Sequence, residues 1–320
     1  MVNKLPATGT RAGILTILRN SSQPISGELM ATELGVSRVA VWKGIQSLNA
    51  TGYRITATDR GYILEQAPAD GLFPWEFGSD EKRFRYWATT DSTMNRAREA
   101  ALSGAASGTV FMADAQSAGR GTGSKVWVSV SGGLFFTVVT RPVLETAFYH
   151  RSTIAASLAM TRAIQRMSGQ EAFPLWPNDI MVRPVGESGP CGKAGGILGE
   201  MLATGNAVSF MNLGIGINTG RKPDLETAAA VTAPRKDLLG EFLAEFARID
   251  VAGEDLISAW NAACPACGKP VSFRSGANGT TEEGIFRGTD RAGWAIIENE
   301  TEKRHFPPGS VILLEKGNNA

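Results

Sequence analysis

Apolar residues recur at helical spacing through the first fifty positions. Ile14, Leu15 and Leu18 make a short face. Ser26 is placed to cap a helix ending near Leu34, and Gly35 follows where a C-cap favours positive φ. Ser37 caps the next helix, in which Val41, Ile45 and Leu48 recur at i, i+4 and i+7 and turn inward. That leaves Arg38, Trp42, Lys43 and Gln46 facing out. Two short helices joined at a glycine form a helix-turn-helix pattern. Tyr53 to Thr58 and Tyr62 to Glu65 then alternate like strands around Asp59-Arg60-Gly61, a hairpin wing. This winged unit is expected over 1–66.

The stretch 67–80 carries Pro68, Gly71, Pro74 and Gly78 without periodicity and reads as a linker. A central unit follows over 81–265. Strands are expected at Arg83 to Ala88, Val110 to Ala113 and Leu134 to Thr140, with a helix at His150 to Met167. Pro174 to Val182, Gly192 to Met201 and Asn212 to Asn218 read as strands with loops between them. Helices are expected at Asp237 to Ile249, where Leu238, Phe242, Phe246 and Ile249 share a face, and at Asp255 to Ala263. From 266 to 320 the signals shorten to strands at Pro270 to Arg274, Gly284 to Thr289, Trp294 to Glu298 and Val311 to Glu315, a small β unit.

Composition narrows the function classes. Hydrophobic content of 43% and charged content of 20% over 320 residues suit a multidomain globular protein. The net charge of +1 excludes a strongly basic protein, so nucleic-acid contact needs a local patch. One exists: residues 1–66 hold seven Lys and Arg against four acids. With Ser37, Arg38, Trp42, Lys43 and Gln46 on the second helix and Arg60 on the wing, the patch suits phosphate binding. A winged helix can also serve protein contacts. Met1 to Asn20 lacks a cleavable signal pattern, and no apolar run reaches the roughly 18 residues of a membrane span. Three cysteines suit a reducing, cytoplasmic setting. Cys264-Pro265-Ala266-Cys267 reads first as a helix-ending turn. A redox pair is a second reading. Zinc would need Cys191 and a histidine to complete four ligands, so no metal site is expected.

The chemistry concentrates in glycine-lined strips. Gly119, Gly121 and Gly123 fall within five residues, where successive amides can form an anion-holding nest, although a plain turn shares that composition. Arg120 adds a planar fork suited to carboxylate or phosphate. The spacing fits neither a phosphate-binding P-loop nor a dinucleotide fingerprint. Lys193 stands beside the pair Gly195-Gly196. Ser92 and Thr93, at a predicted helix start, offer hydroxyls to a neutral polar ligand.

Five motifs in order carry a resemblance. They are Asp91-Ser92-Thr93, Gln116 with Gly119-Arg120-Gly121, Trp176-Pro177-Asn178-Asp179, Lys193-x-Gly195-Gly196-Ile197-Leu198 and Gly214-x-Gly216-Ile217-Asn218. With the helix Ala40-Val41-Trp42-Lys43 and the wing, they make nearly the whole chain resemble a biotin protein ligase with an attached repressor domain. The resemblance implies a class II synthetase-like sheet in the central domain and an SH3-like C-terminal barrel. It implies that biotin and ATP, with Mg²⁺, give biotinyl-adenylate and pyrophosphate. Biotin then passes to a lysine of a biotin carboxyl carrier protein. It implies repression through operator DNA of biotin genes and ligand-linked homodimerisation.

Carried over by the motifs, Ser92, Thr93, Gln116, Gly119, Arg120, Gly121, Thr122, Lys193, Gly195 and Gly196 form the biotin site. Lys193 and Arg120 serve catalysis, Lys193 between the biotin carboxylate and the α-phosphate. Trp127, Asn178 and Asn218 lie by the nucleotide. Four residues depart from the pattern. Leu175 stands where Lys is usual, Thr122 and Gly123 where the loop is basic, and Met94 where Asn is frequent. The lost cations suggest an enzyme that activates biotin but holds the adenylate loosely. A ligand-sensing repressor with weak ligase activity and a lipoate-type ligase are the alternatives.

Overall fold

The computed structural model describes residues 9–184, 191–275 and 279–314. Glu315, the last residue of the expected strand Val311 to Glu315, lies outside them. The chain divides into two compact units, residues 1–86 and 87–320.

In the first unit α1 (Thr10–Arg19), α2 (Gly27–Leu34) and α3 (Arg38–Asn49) precede the hairpin β1 (Arg54–Thr58) and β2 (Gly61–Gln66). The expected caps are made. Ser26 Oγ accepts from Leu29 N, Ser37 Oγ accepts from Ala40 N, and Gly35 ends α2 at φ 64°. Ile14, Leu15, Leu18, Val41, Ile45 and Leu48, the apolar faces read from periodicity, form the core together with Met30 of α2. Gly61 has φ +138°, and a Cβ there would sit 2.3 Å from Ile25 O, so the wing closes against the α2 entry only with glycine.

Residues 67–80, read as a linker, carry order of their own. Two short 3-10 turns broken by a kink at Phe77 and Gly78 occupy Pro74–Arg83, and Trp75 is buried in the same core. Trp75 Nε1 donates to Tyr53 Oη at 3.1 Å, and the Arg11 guanidinium lies 3.9 Å over its ring. Prolines and glycines hid a segment that one large aromatic anchors.

The second unit is built on a seven-stranded sheet. Its strands are β3 (Phe84–Thr90, in which the chain passes from one unit to the other), β4 (Val110–Gln116), β5 (Leu134–Thr140), β6 (Ala172–Leu175), β7 (Asp179–Val182), β8 (Gly192–Thr204) and β9 (Ala207–Ile217). Their order is β3-β4-β5-β9-β8-β7-β6, and the ladders from β4 through β6 are antiparallel. Long helices α5 (His150–Ser168) and α6 (Arg235–Arg248) cover one face, as Phe136 of β5 against Phe242 of α6 illustrates. On the other face lies α4 (Thr93–Leu102), with Ala97 and Ala101 against Phe111 and Val139.

After α7 (Asp255–Ala263) the turn Cys264 to Cys267 closes with Cys267 N donating to Cys264 O at 3.1 Å, the helix-ending turn expected there. A second antiparallel sheet follows, from β10 (Lys269–Ser275), β11 (Thr281–Thr289), β12 (Ala295–Glu298), β13 (Lys303–Phe306) and β14 (Val311–Leu314), ordered β13-β12-β11-β10-β14. Its core is continuous with Trp176, Ile154 and Trp260. Arg151 donates to the carbonyls of Val251, Arg291 and Gly253 and so clamps α5 to this region.

His150, at the start of α5, has its ring 3.8 Å from that of Tyr149. Burial pushes its pKa down from 6.5 to about 4. The unfolded chain therefore takes a proton that the folded chain refuses. Stability is complete above pH 6.5 and falls between pH 6.5 and 4, by roughly 2 kcal/mol after allowance for the ring's wet edge. Urea melts of wild type and His150→Phe across that window check this; the variant should lose that part of the slope.

Candidate functional site

The face of the large sheet that carries α4 is lined in part by absent side chains. On β9, Gly214 and Gly216 point away from α5, and on β8 Gly196 stands opposite Gly216. The Trp127 ring fills the space over both: a Cβ on Gly216 would lie 2.6 Å from Trp127 Cε2, and one on Gly196 would lie 3.3 Å from Cζ3. Gly195 faces the packed side, where its Cβ would meet Ile217 at 2.3 Å.

The loop before Trp127 is a small arch. Trp127 N donates to Gly119 O at 3.0 Å and Gly121 N to Lys125 O at 2.9 Å, with Thr122 and Gly123 at the exposed tip. A Cβ on Gly119 would sit 2.5 Å from Trp127 O, so the arch closes by direct backbone approach. Arg120 pairs with Glu200 of β8.

At the start of α4 the polar residues are already joined. Ser92 caps the helix by accepting from Met94 N at 3.3 Å. Gln116 Oε1 accepts from Thr93 N at 2.8 Å and Thr93 Oγ1 at 3.1 Å, and its Nε2 donates to Ser129 Oγ. Thr137 of β5 donates to Thr93 Oγ1 at 2.9 Å. Hydrogen bonds from Asn95, then from the Ser92 backbone and Thr90, hold the Asp91 carboxyl well below the usual carboxylate range. Met94 is buried, and its sulfur would lie 2.5 Å from a Cβ on Gly214.

Lys193 opens β8. Its Nζ lies 2.6 Å from Asp179 Oδ1, and its side chain is 41% exposed. Its backbone donates to Thr227 O at 2.7 Å, and its carbonyl accepts from Ala229 N at 2.9 Å. Lys193 Cε would be 3.9 Å from a Cβ on Gly196. Lys193, Trp127 and Arg120 therefore border one face of β8.

The two asparagines act on backbone. Asn178 Nδ2 donates to Ile197 O at 2.8 Å, and Asn218 Nδ2 donates to Ala229 O at 3.1 Å. Each stitches a loop beside Lys193. Several buried polar atoms here have no partner: Trp127 Nε1, Asn218 Oδ1, and both Oδ1 and Nδ2 of Asn212. Asp179, Glu200, Thr137 and Asn212 were not among the expected site residues.

In the first unit a groove of about 490 Å³ runs between α3 and the wing, lined by Arg38, Trp42, Arg60 and Tyr62 among others. Trp42 is 52% exposed, and Lys43, Gln46 and Ser37 are exposed on the same helix. Among the described residues no helix is long and apolar enough to cross a membrane.

Comparison with known proteins adds to this geometry. Residues 10–63 match a helix-turn-helix domain family, and residues 86–218 match the Biotin/lipoate A/B protein ligase family. The bifunctional ligase/repressor BirA of Bacillus subtilis is 34% identical over 213 residues, 62% of this chain; the match spans 62% of that relative's own length. The biotin–[acetyl-CoA-carboxylase] ligase of Paracoccus denitrificans is 30% identical over 248 residues, 71% of this chain and 98% of that protein. The fold is similar to that of the biotin protein ligase from Aquifex aeolicus in complex with biotin and ATP. The TM-score is 0.58 at 22% identity, over 72% of this chain and 98% of that one.

Proposed function

Since the chain belongs to the Biotin/lipoate A/B protein ligase family, we propose that it activates biotin with ATP and attaches it to a carrier protein, and that its winged helix binds operator DNA. The observation that carries this reading is one sheet face. A neutral polar cluster (Ser92, Thr93, Gln116), a flat ring (Trp127) and an ammonium (Lys193) meet there over bare glycines.

The chemistry divides along that face. The ureido head of biotin is uncharged and suits hydroxyl and amide partners at the start of α4. Its carboxylate points to Lys193. A carboxylate oxygen attacks the α-phosphorus of ATP, the bond to pyrophosphate breaks, and biotinyl-adenylate forms. A lysine amine of the carrier then attacks the acyl carbon, and AMP leaves. Arg120 and Gly121, in the arch, close over the acid and its adenylate, with Gly119 and Thr122 beside them. Asn178 and Asn218 shape the nucleotide side by holding the loops around Lys193, and Trp127 walls it.

Mg²⁺ bound to the nucleotide supplies further charge neutralisation. Such an ion keeps mostly water and phosphate oxygens and needs one or two carboxylates. It would arrive with ATP, its charge adding to that of Lys193, whose ammonium pairs with Asp179.

The small β sheet would form the SH3-like barrel that supports the turn at Trp176, whose Nε1 donates to Gly293 O. The large sheet would follow the class II synthetase plan. The carrier is a biotin carboxyl carrier protein. In the DNA reading Arg38, Lys43 and Arg60 contact phosphates, while Ser37, Trp42 and Gln46 face bases, and the adenylate-bound form dimerises to span two half-sites.

Incubation with ATP, radiolabelled biotin and a carrier domain tests the reading. Labelled carrier is expected; none, with biotin still bound, would favour a sensing repressor. Label from lipoate instead would favour the other branch of the family. Fast release of the adenylate in a rapid-mix trap is expected from Thr122 and Gly123 at the arch tip, where the resembled pattern has cations.

A further inference from the structure

The outer face of α3 exposes two large apolar side chains. Val39, Trp42, Lys43 and Gln46 recur at i, i+3, i+4 and i+7, opposite the buried Val41, Ile45 and Leu48, and all four are exposed. Val39 is 61% exposed and Trp42 52%. A solvated helix face gains nothing from a bare valine and indole side by side, so this stripe suits a partner that covers it.

The surroundings say what kind of partner. Val39 and Trp42 line the groove between α3 and the wing, with Arg38 on the helix side and Asp59 and Arg60 on the wing side. The cations outnumber the acid. Arg38 leans on Glu28 at 3.9 Å, but both side chains are mostly exposed, so the pair is weak and the guanidinium can turn to another anion. Lys43 adds a cation beside Trp42. Positive charge therefore flanks an apolar strip from both walls. Duplex DNA meets both demands at once: its phosphates answer the cations, and the C5-methyl of thymine is an apolar group on a major-groove base edge. From Val39 to Gln46 the stripe rises about 10 Å, three base-pair steps. The N-terminal part of a reading helix is the part that meets base edges, and Val39 and Trp42 lie within the first five residues of α3.

Resting on the reading of this unit as a DNA-binding module, we propose that Val39 and Trp42 determine operator specificity by packing on the C5-methyl groups of thymines in the major groove. Each is a reader of one apolar group, while Arg38, Lys43 and Arg60 fix the register on phosphates and carry no sequence information. Covering one methyl changes binding about fourfold.

The test uses the full chain with biotin and ATP present. Duplexes that it retains are selected from a random pool, and binding of the selected duplex is followed by fluorescence anisotropy. Replacing single thymines by deoxyuridine removes a methyl and no hydrogen-bonding group. A loss of about fourfold is expected at two positions. Val39→Ala should abolish the sensitivity at one of them and Trp42→Ala at the other, with melting temperatures unchanged because both side chains are exposed. Arg60→Ala should weaken thymine and deoxyuridine duplexes alike and flatten the salt dependence. Wild-type protein that binds equally well with deoxyuridine at every thymine would overturn the inference and leave the DNA reading intact. Deoxyuridine penalties that persist unchanged in both alanine variants would overturn it too, since the methyls would then be read elsewhere. A full chain that retains no duplex from the pool would overturn the DNA reading, and this inference with it.

Discussion

Lys193→Ala should slow adenylate formation about a thousandfold and leave the fold in place. The two substrates of this step are both anions, and their reacting groups repel as they close. A unit cation about 4 Å from a developing anion contributes roughly 4 kcal/mol at an effective dielectric near 20. Realised in the transition state, that is about three powers of ten in rate. The ammonium is already aimed: Asp179 Oδ1 holds it at 2.6 Å. The side chain is partly exposed, and the strand contacts of Lys193 are made by its backbone to Thr227 and Ala229. Alanine preserves those, so the melting temperature should move little. Biotin-dependent exchange of pyrophosphate into ATP measures the step directly. Unchanged exchange would remove Lys193 from the chemistry.

The departures from the resembled pattern have different local settings. Leu175 ends β6 and packs against the core that joins Trp176 to the C-terminal sheet, so a lysine there would have to leave that cluster. Thr122 and Gly123 are exposed at the arch tip, where packing selects neither, although the φ of 62° at Gly123 favours glycine there. Met94 is buried against Gly214. Met94 and Leu175 thus serve packing, and Leu175 together with the loop pair carries the change in charge from the resembled pattern.

Periodicity made α1 and α3 legible, because each buries one stripe, and the caps Ser26, Gly35 and Ser37 mark the bounds of α2 and the start of α3. The glycine strips were legible for a related reason: a residue without a side chain marks a surface that something else must approach. The kinked segment Pro74–Arg83 was not, since its order comes from Trp75 reaching Tyr53 and Arg11, far apart in sequence. β13 was missed because Lys303-Arg304-His305-Phe306 is an edge strand that buries almost nothing. Asn178 and Asn218 stood out in the motifs, but their bonds to Ile197 O and Ala229 O depend on loops whose approach no local signal encodes. Glu200 as the partner of Arg120 is of the same kind, eighty residues away.

Gly216→Ala should disable the site from beneath. The added methyl would lie 2.6 Å from Trp127 Cε2 and 2.7 Å from its Nε1, closer than carbon contacts allow. Backbone on a central strand cannot retreat, because β9 is paired on both sides, with β5 and β8. The ring must lift, and Trp127 is what fastens the 119–127 arch to the sheet. Losing that seat frees the arch and removes a wall of the pocket together. Biotin affinity should fall at least about tenfold, near the loss of one buried polar or aromatic contact. Trypsin should cut at Arg120 or Lys125 faster than in wild type, while the central sheet stays folded. Gly214→Ala is the matched control for arch order: its methyl meets the movable thioether of Met94 rather than the ring, so tryptic cleavage of the arch should stay at the wild-type rate. Equal protection of the arch in Gly216→Ala would show that Trp127 does not hold it down.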